Sequence, residues 1–129
     1  MGNRSNIYIQ SRQEGLGTYI YSHWGGEMHL QDGLDALQSP LAFHRWNDHS
    51  YLTRIIAQHI FDKDGKNAAG LGVGPVIDDN EHLILVIDAT NQTVALVPRG
   101  NEYDRIPDGT PFARAMKLKD VTHITPSFV

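Results

Sequence analysis

Tyr19-Ile20-Tyr21-Ser22-His23-Trp24-Gly25-Gly26 is the stretch from which the rest of the chain is read. Its first three residues favour extended backbone, because β-branched and aromatic side chains fit a pleated surface. Gly25 and Gly26 stop the strand, since residues without Cβ enter turn conformations closed to others. From Glu27 onward, Leu30, Leu34 and Leu37 recur at helical spacing. The start of such a helix leaves amide donors unpaired at the positive end of its dipole, which suits an anion. His23 and Trp24 flank that point with one titratable ring and one large flat ring. Two readings follow. In one, a small anionic or nucleotide-like ligand sets phosphate on the helix start and its base on Trp24. In the other, the junction is a tight turn, with Trp24 in the core and His23 bonded to backbone. Glu27 weighs against the anion, because its own carboxylate would occupy the helix start.

The 129 residues suffice for one domain with a real core, and we expect a single domain over 1–129. With 40% hydrophobic and 20% charged residues the chain reads as globular rather than disordered. No stretch approaches the roughly 20 apolar residues of a membrane span. The start lacks the apolar core of a signal peptide. Asn6 stands where myristoylation at Gly2 would want Ser or Thr. Cysteine is absent, which excludes thiolate chemistry and is compatible with a reducing compartment. A formal charge of −4 argues against a dedicated binder of nucleic-acid polymer. Seven histidines keep metal binding in view.

In chain order, Asn6 to Gln10 alternates as a first strand, and Thr18 to Trp24 returns beside it after the polar turn Arg12 to Gly17. A helix is expected over Glu27 to Gln38, ended by Ser39-Pro40. Leu41 to Trp46 is a connector. A second helix, capped by Asn47 or Asp48, runs to about Phe61, with Leu52, Ile55, Ile56, His59 and Ile60 on its apolar face. Lys63 to Gly74 reads as a glycine-rich loop. Leu83 to Ile87 is a continuous apolar run that suits a buried strand, with Thr93 to Val97 as its partner. The region from Pro98 to Pro111, with Pro107 among its breakers, is irregular, and Phe112 to Lys119 fits a strand or a short helix. The tail Pro126-Ser127-Phe128-Val129 suits either a docked terminus or a chain cut from something longer. The expected fold is α+β: one mainly antiparallel sheet of four to five strands, built from two hairpins, with two helices packed on one face.

Each candidate for chemistry also has a plainer role. His44, Arg45, Trp46, Asp48 and His49 crowd the second helix entry, but the two histidines are not an i, i+4 pair and no further ligands are marked by spacing. We therefore expect no metal site and no cofactor. His123-Ile124-Thr125 is a lone half of a paired signature of cyclic phosphodiesterases. Asp78, Asp79 and Glu81 beside His82 read as a solvated turn rather than a cation loop. No strained Gly-x-Ser-x-Gly turn exists for a serine nucleophile. Gly70-Leu71-Gly72-Val73-Gly74 is neither a Walker nor a Rossmann loop; it is a flexible crossover or a lid over His23-Trp24. Arg4, Arg12, Arg45, Arg54, Arg99, Arg105 and Arg114 outnumber the lysines, and arginine suits forked recognition of phosphate.

With Gly2-Asn3-Arg4, then Tyr21-Ser22-His23-Trp24-Gly25-Gly26, then Asp78-Asp79-Asn80-Glu81-His82 before a strand, the chain resembles a group of small uncharacterised proteins of phages, prophages and bacterial genomes. The resemblance covers about half the chain and brings no catalytic residues. It implies a cytoplasmic, phage-related setting. The expectation is thus a non-enzymatic binding module for a small anionic or nucleotide-like ligand, in phage–host conflict, with His23, Trp24, Gly25, Gly26, Arg4 and Arg45 as its ligand-binding residues. Two alternatives stand beside it. One is a protein-interaction or self-assembly module using Trp46, Tyr51, Tyr103 and Arg105, with a homo-oligomer left open. The other is a small hydrolase or nuclease using His44 and His49.

Overall fold

The computed structural model describes residues 2–11, 15–77, 79–106 and 108–127, and only the backbone of 66–68. Arg12, Asp78, Pro107, Phe128 and Val129, which figured in the reading above, lie outside the described residues.

The centre of the molecule is strand β1 (Ser5–Gln10), all six residues of which are buried. It pairs antiparallel with β2 (Gly17–Ser22), placing Ile7 opposite Ile20 and Tyr8 opposite Tyr19. Its other neighbour is β4 (Ile84–Asp88), and that pairing is parallel, with Ile7 beside Leu85 and Ile9 beside Ile87. Strand β5 (Thr93–Val97) returns antiparallel to β4, and β6 (Thr110–Pro111) adds a short edge. At the other edge β3 (Leu71–Gly74) pairs antiparallel with β2. The order is β3-β2-β1-β4-β5-β6.

The fold is therefore α+β around one mixed sheet of six strands, not a mainly antiparallel sheet of four to five. The two expected hairpins exist. They are joined through the parallel β1–β4 contact, for which the long excursion between them supplies the crossover that parallel strands need. Both strands are covered on both faces, which is why Leu83 to Ile87 carries no polar alternation. The expected loop at 71–74 is instead an edge strand. Its glycines give no side-chain pattern by which a strand would be recognised.

Helices α1 (Gly26–Leu37) and α3 (His49–Lys63) pack on one face and on each other. Leu30, Leu34 and Leu37 of α1 and Leu52, Ile56 and Ile60 of α3 join Ile7, Ile9, Ile20, Leu85 and Ile87 in the main core. Each such side chain contributes about 1.5–3 kcal/mol when fully buried. Gly33 lets α1 approach closely, since a Cβ there would stand 2.7 Å from Ile7 Cδ1. Asp48 caps α3, its carboxylate accepting from the Tyr51 amide at 3.3 Å. His59, expected on the apolar face, is only half-buried. The connector contains a further short helix, α2 (Pro40–Phe43), and Phe112–Ala115 is helical (α4) rather than extended.

The opposite face buries Tyr8, Tyr19, Ile84, Val86, Ala95 and Val97 beneath Ile77 and Ile106. Tyr19 donates its hydroxyl to Glu102 at 3.0 Å, and Tyr103 lies 2.8 Å from the same oxygen. Burial, then the nearby Tyr103 and Glu102, pushes the Tyr8 hydroxyl pKa up to about 12.

Candidate functional site

Strand β2 ends at Ser22, two residues earlier than expected. On the β3 side the ladder runs one step further, the His23 amide donating to the Gly70 carbonyl at 2.8 Å, whereas the regular pairing with β1 stops at Ser5 opposite Ser22. The chain then folds back on itself. Ser22 Oγ accepts from the Gly25 amide at 2.8 Å, and the Asn3 carbonyl accepts from the Gly26 amide at 2.8 Å. Asn3 in turn donates its own amide to the His23 carbonyl at 2.8 Å. Gly26 sits at φ +53°, and a Cβ on it would run into the Asn3 side chain. Only glycine meets both demands. Two of the amides expected to await an anion are thus already bonded to the chain, and Glu27, which is exposed, plays no part in closing them.

The rings behave differently from a core turn. Trp24 is 58% exposed, and its indole lies over Gly70, so closely that a Cβ there would collide with the ring. His23 meets Trp24 edge-on at 4.8 Å, and its Nδ1 lies 2.9 Å from the Tyr21 hydroxyl. Beside the indole is a hollow of about 230 Å³ lined by Ser22, Trp24, Gly25, Asp64 and Leu71. The glycine-rich segment therefore supplies a wall and a rest for the indole. It is not a lid, because residues 71–74 are held in the sheet.

Asp64 comes from the far end of α3. It is brought here by the antiparallel packing of α1 and α3 and by Lys63, whose Nζ pairs with the buried Asp32 at 2.6 Å and with Asp35 at 3.7 Å. Beneath the junction His29 is 1% exposed, with Nε2 2.8 Å from the Ile20 carbonyl. That bond places the proton on Nε2 and leaves Nδ1 bare. Burial lowers the His29 pKa, against the opposing pull of the Ile20 carbonyl and of Asp32 and Asp64.

The structure brings His23, Trp24, Gly25 and Gly26 together. Arg4 is near, but its guanidinium is engaged with Asp79 at 2.6 Å and Glu81 at 3.5 Å. Arg45 is not brought there. It lies over the Tyr51 ring at 4.7 Å, beside the start of α3, and the 15 residues of that helix span about 22 Å. The two helix entries do not share a cleft: Asn47 and His49 line a separate hollow with Ala89, Thr90 and Gln92. Among the described residues no three metal-ligating side chains converge. Trp46 packs on Phe112 at 5.3 Å, whereas Tyr103 packs on Tyr8 across the sheet, so Trp46, Tyr51 and Tyr103 do not form one surface.

The sequence reading missed Asn3, Ser22, Asp64 and Leu71. Asn3 carried a signal in its place within Gly2-Asn3-Arg4. It bonds to both sides of the junction, and its Oδ1 meets His82 Nε2 at 2.5 Å. Glu81 donates its amide to the Arg4 carbonyl at 2.9 Å. The three stretches that carry the resemblance therefore meet at one corner. Comparison of the chain with family models, curated proteins and solved structures gives no match. Among the described residues no helix is long and apolar enough to cross a membrane.

Proposed function

We propose that this chain is a non-enzymatic binding module whose nucleotide-like ligand lays its planar part in the hollow beside Trp24. One observation carries the reading: a large aromatic side chain is fixed over Gly70 yet left 58% exposed, at the rim of a hollow of about 230 Å³. Such a ring offers stacking area at little cost in ordering, because its position is already set. The ligand's anionic part, which the sequence placed on the helix start, is better left in solvent, since the Gly25 and Gly26 amides are taken and Asp64 lines the hollow. The bacterial, phage-related and cytoplasmic setting belongs to this proposal and rests on the resemblance alone. Differential scanning fluorimetry against nucleosides and nucleotides tests it. A saturable rise in Tm that Trp24→Ala abolishes is expected. No shift with any compound would overturn it.

A second reading, a protein-interaction module, has its own observation. Leu41, Phe43 and Tyr51 are 69%, 51% and 49% exposed around α2, with Arg45 stacked on Tyr51. Aromatic and arginine side chains are the usual anchors of interfaces. Light scattering on the wild type and on Phe43→Ser separates the two: an assembly that the substitution dissolves favours this second reading.

A further inference from the structure

Among the described residues the hollow beside Trp24 has one charged wall. Asp64 ends α3, where the helix dipole is negative and a carboxylate is the least favourable side chain. Its neighbour Lys63 turns away to Asp32 and Asp35. Among the described residues the Asp64 carboxylate has no hydrogen bond or ion pair of its own, and no basic side chain lines the hollow. Its charge acts within the protein only at a distance, on Lys63 and His29, so a local rule is broken here without a direct partner among the described residues, as it would be for a side chain kept for a ligand.

We propose that Asp64 selects the ligand: the hollow takes a planar group with two adjacent N–H donors, read by the carboxylate while the ring stacks on Trp24. A carboxylate accepts at both oxygens and donates at neither. Among nucleobases only guanine presents two neighbouring N–H donors on one edge. Adenine and cytosine set a ring-nitrogen acceptor beside their amino group, and uracil flanks its N–H with carbonyls, so each opposes a lone pair to the carboxylate. Amidines carry the same paired donors. This inference rests on the binding reading above and specifies its ligand.

Isothermal calorimetry on the full chain tests it with guanosine, adenosine, cytidine, uridine, guanosine triphosphate and benzamidine. Guanosine should bind at least tenfold tighter than the other nucleosides. The triphosphate should bind more weakly than guanosine, because its charge approaches Asp64. Binding of benzamidine without guanosine would assign the site to amidines. The decisive variant is Asp64→Asn, which presents one acceptor and one donor. It should lose at least tenfold for guanosine and gain for adenosine, with Tm unchanged or raised as evidence of an intact fold. Equal binding of all nucleosides, unaltered in Asp64→Asn, would overturn the selectivity and leave a site that only stacks. Heat from none of the probes would remove both this inference and the binding reading.

Discussion

Single residues make the junction, and two of them yield sharp expectations. Gly26 is needed for its left-handed backbone and for the room it gives the Asn3 amide. Gly26→Ala should cost about 1–2 kcal/mol for the backbone alone, and more for the collision, measured by urea denaturation. Gly25→Ala offers no easy contrast, since a Cβ there would stand 2.6 Å from Ser22 Oγ. His29 makes stability depend on pH. Its folded pKa is lowered from the ordinary 6.5, so between the two values the unfolded chain binds a proton that the folded chain does not. Stability should therefore fall as pH drops below 6.5, by at most about 1.4 kcal/mol per pH unit, until the folded pKa is reached. Other groups also take up protons as the pH falls. The test is thus a comparison: His29→Gln, which keeps a donor for the Ile20 carbonyl, should flatten the slope between pH 6.5 and 5 relative to wild type. An unchanged slope would remove His29 from the account.

At the scale of elements, α1 and α3 carry the site as a pair. Asp32 is 4% exposed and relies on Lys63, so Lys63→Met should leave a buried carboxylate unpaired and cost about 2–3 kcal/mol in denaturant unfolding. Asp64→Asn, one residue on, should instead gain about 0.5 kcal/mol by relieving the helix end. Hydrogen exchange should rank the strands: β1 and β4, the central pair of the six, slowest, and the edge strands β3 and β6 fastest. The same elements show what a sequence discloses. The helices were legible because Leu30-Leu34-Leu37 and Leu52-Ile55-Ile56-Ile60 keep a 3.6-residue period and Asp48 announces a cap. The β4–β5 hairpin was legible from its apolar runs and turn formers. The parallel β1–β4 contact was not, because pairing partners distant in sequence leave no local trace. Nor was β3, in which Gly72 and Gly74 erase the alternation. At the site, His23 to Gly26 stood out as an unusual junction. Asp64 did not, because only the antiparallel packing of two helices brings it there.

For the molecule as a whole, the mixed sheet is buried on both faces, and its helices leave one corner where Gly2-Asn3-Arg4, His23 to Gly26 and Asp79 to His82 meet. Charge decides what can be held beside that corner. In the proposed binding role, a chain of formal charge −4 whose hollow is walled by Asp64 should disfavour phosphate there and favour a donor-rich flat group. The central claim is that this hollow is a ligand site. Its most direct test is the pair of indole N–H signals in a 1H–15N spectrum during titration with guanosine. Trp24 and Trp46 are the chain's only tryptophans, one exposed at the hollow and one packed against Phe112. The Trp24 signal should move and saturate while that of Trp46 stays in place. A Trp24 signal that stays fixed up to solubility, or moves only in step with Trp46, would contradict the account.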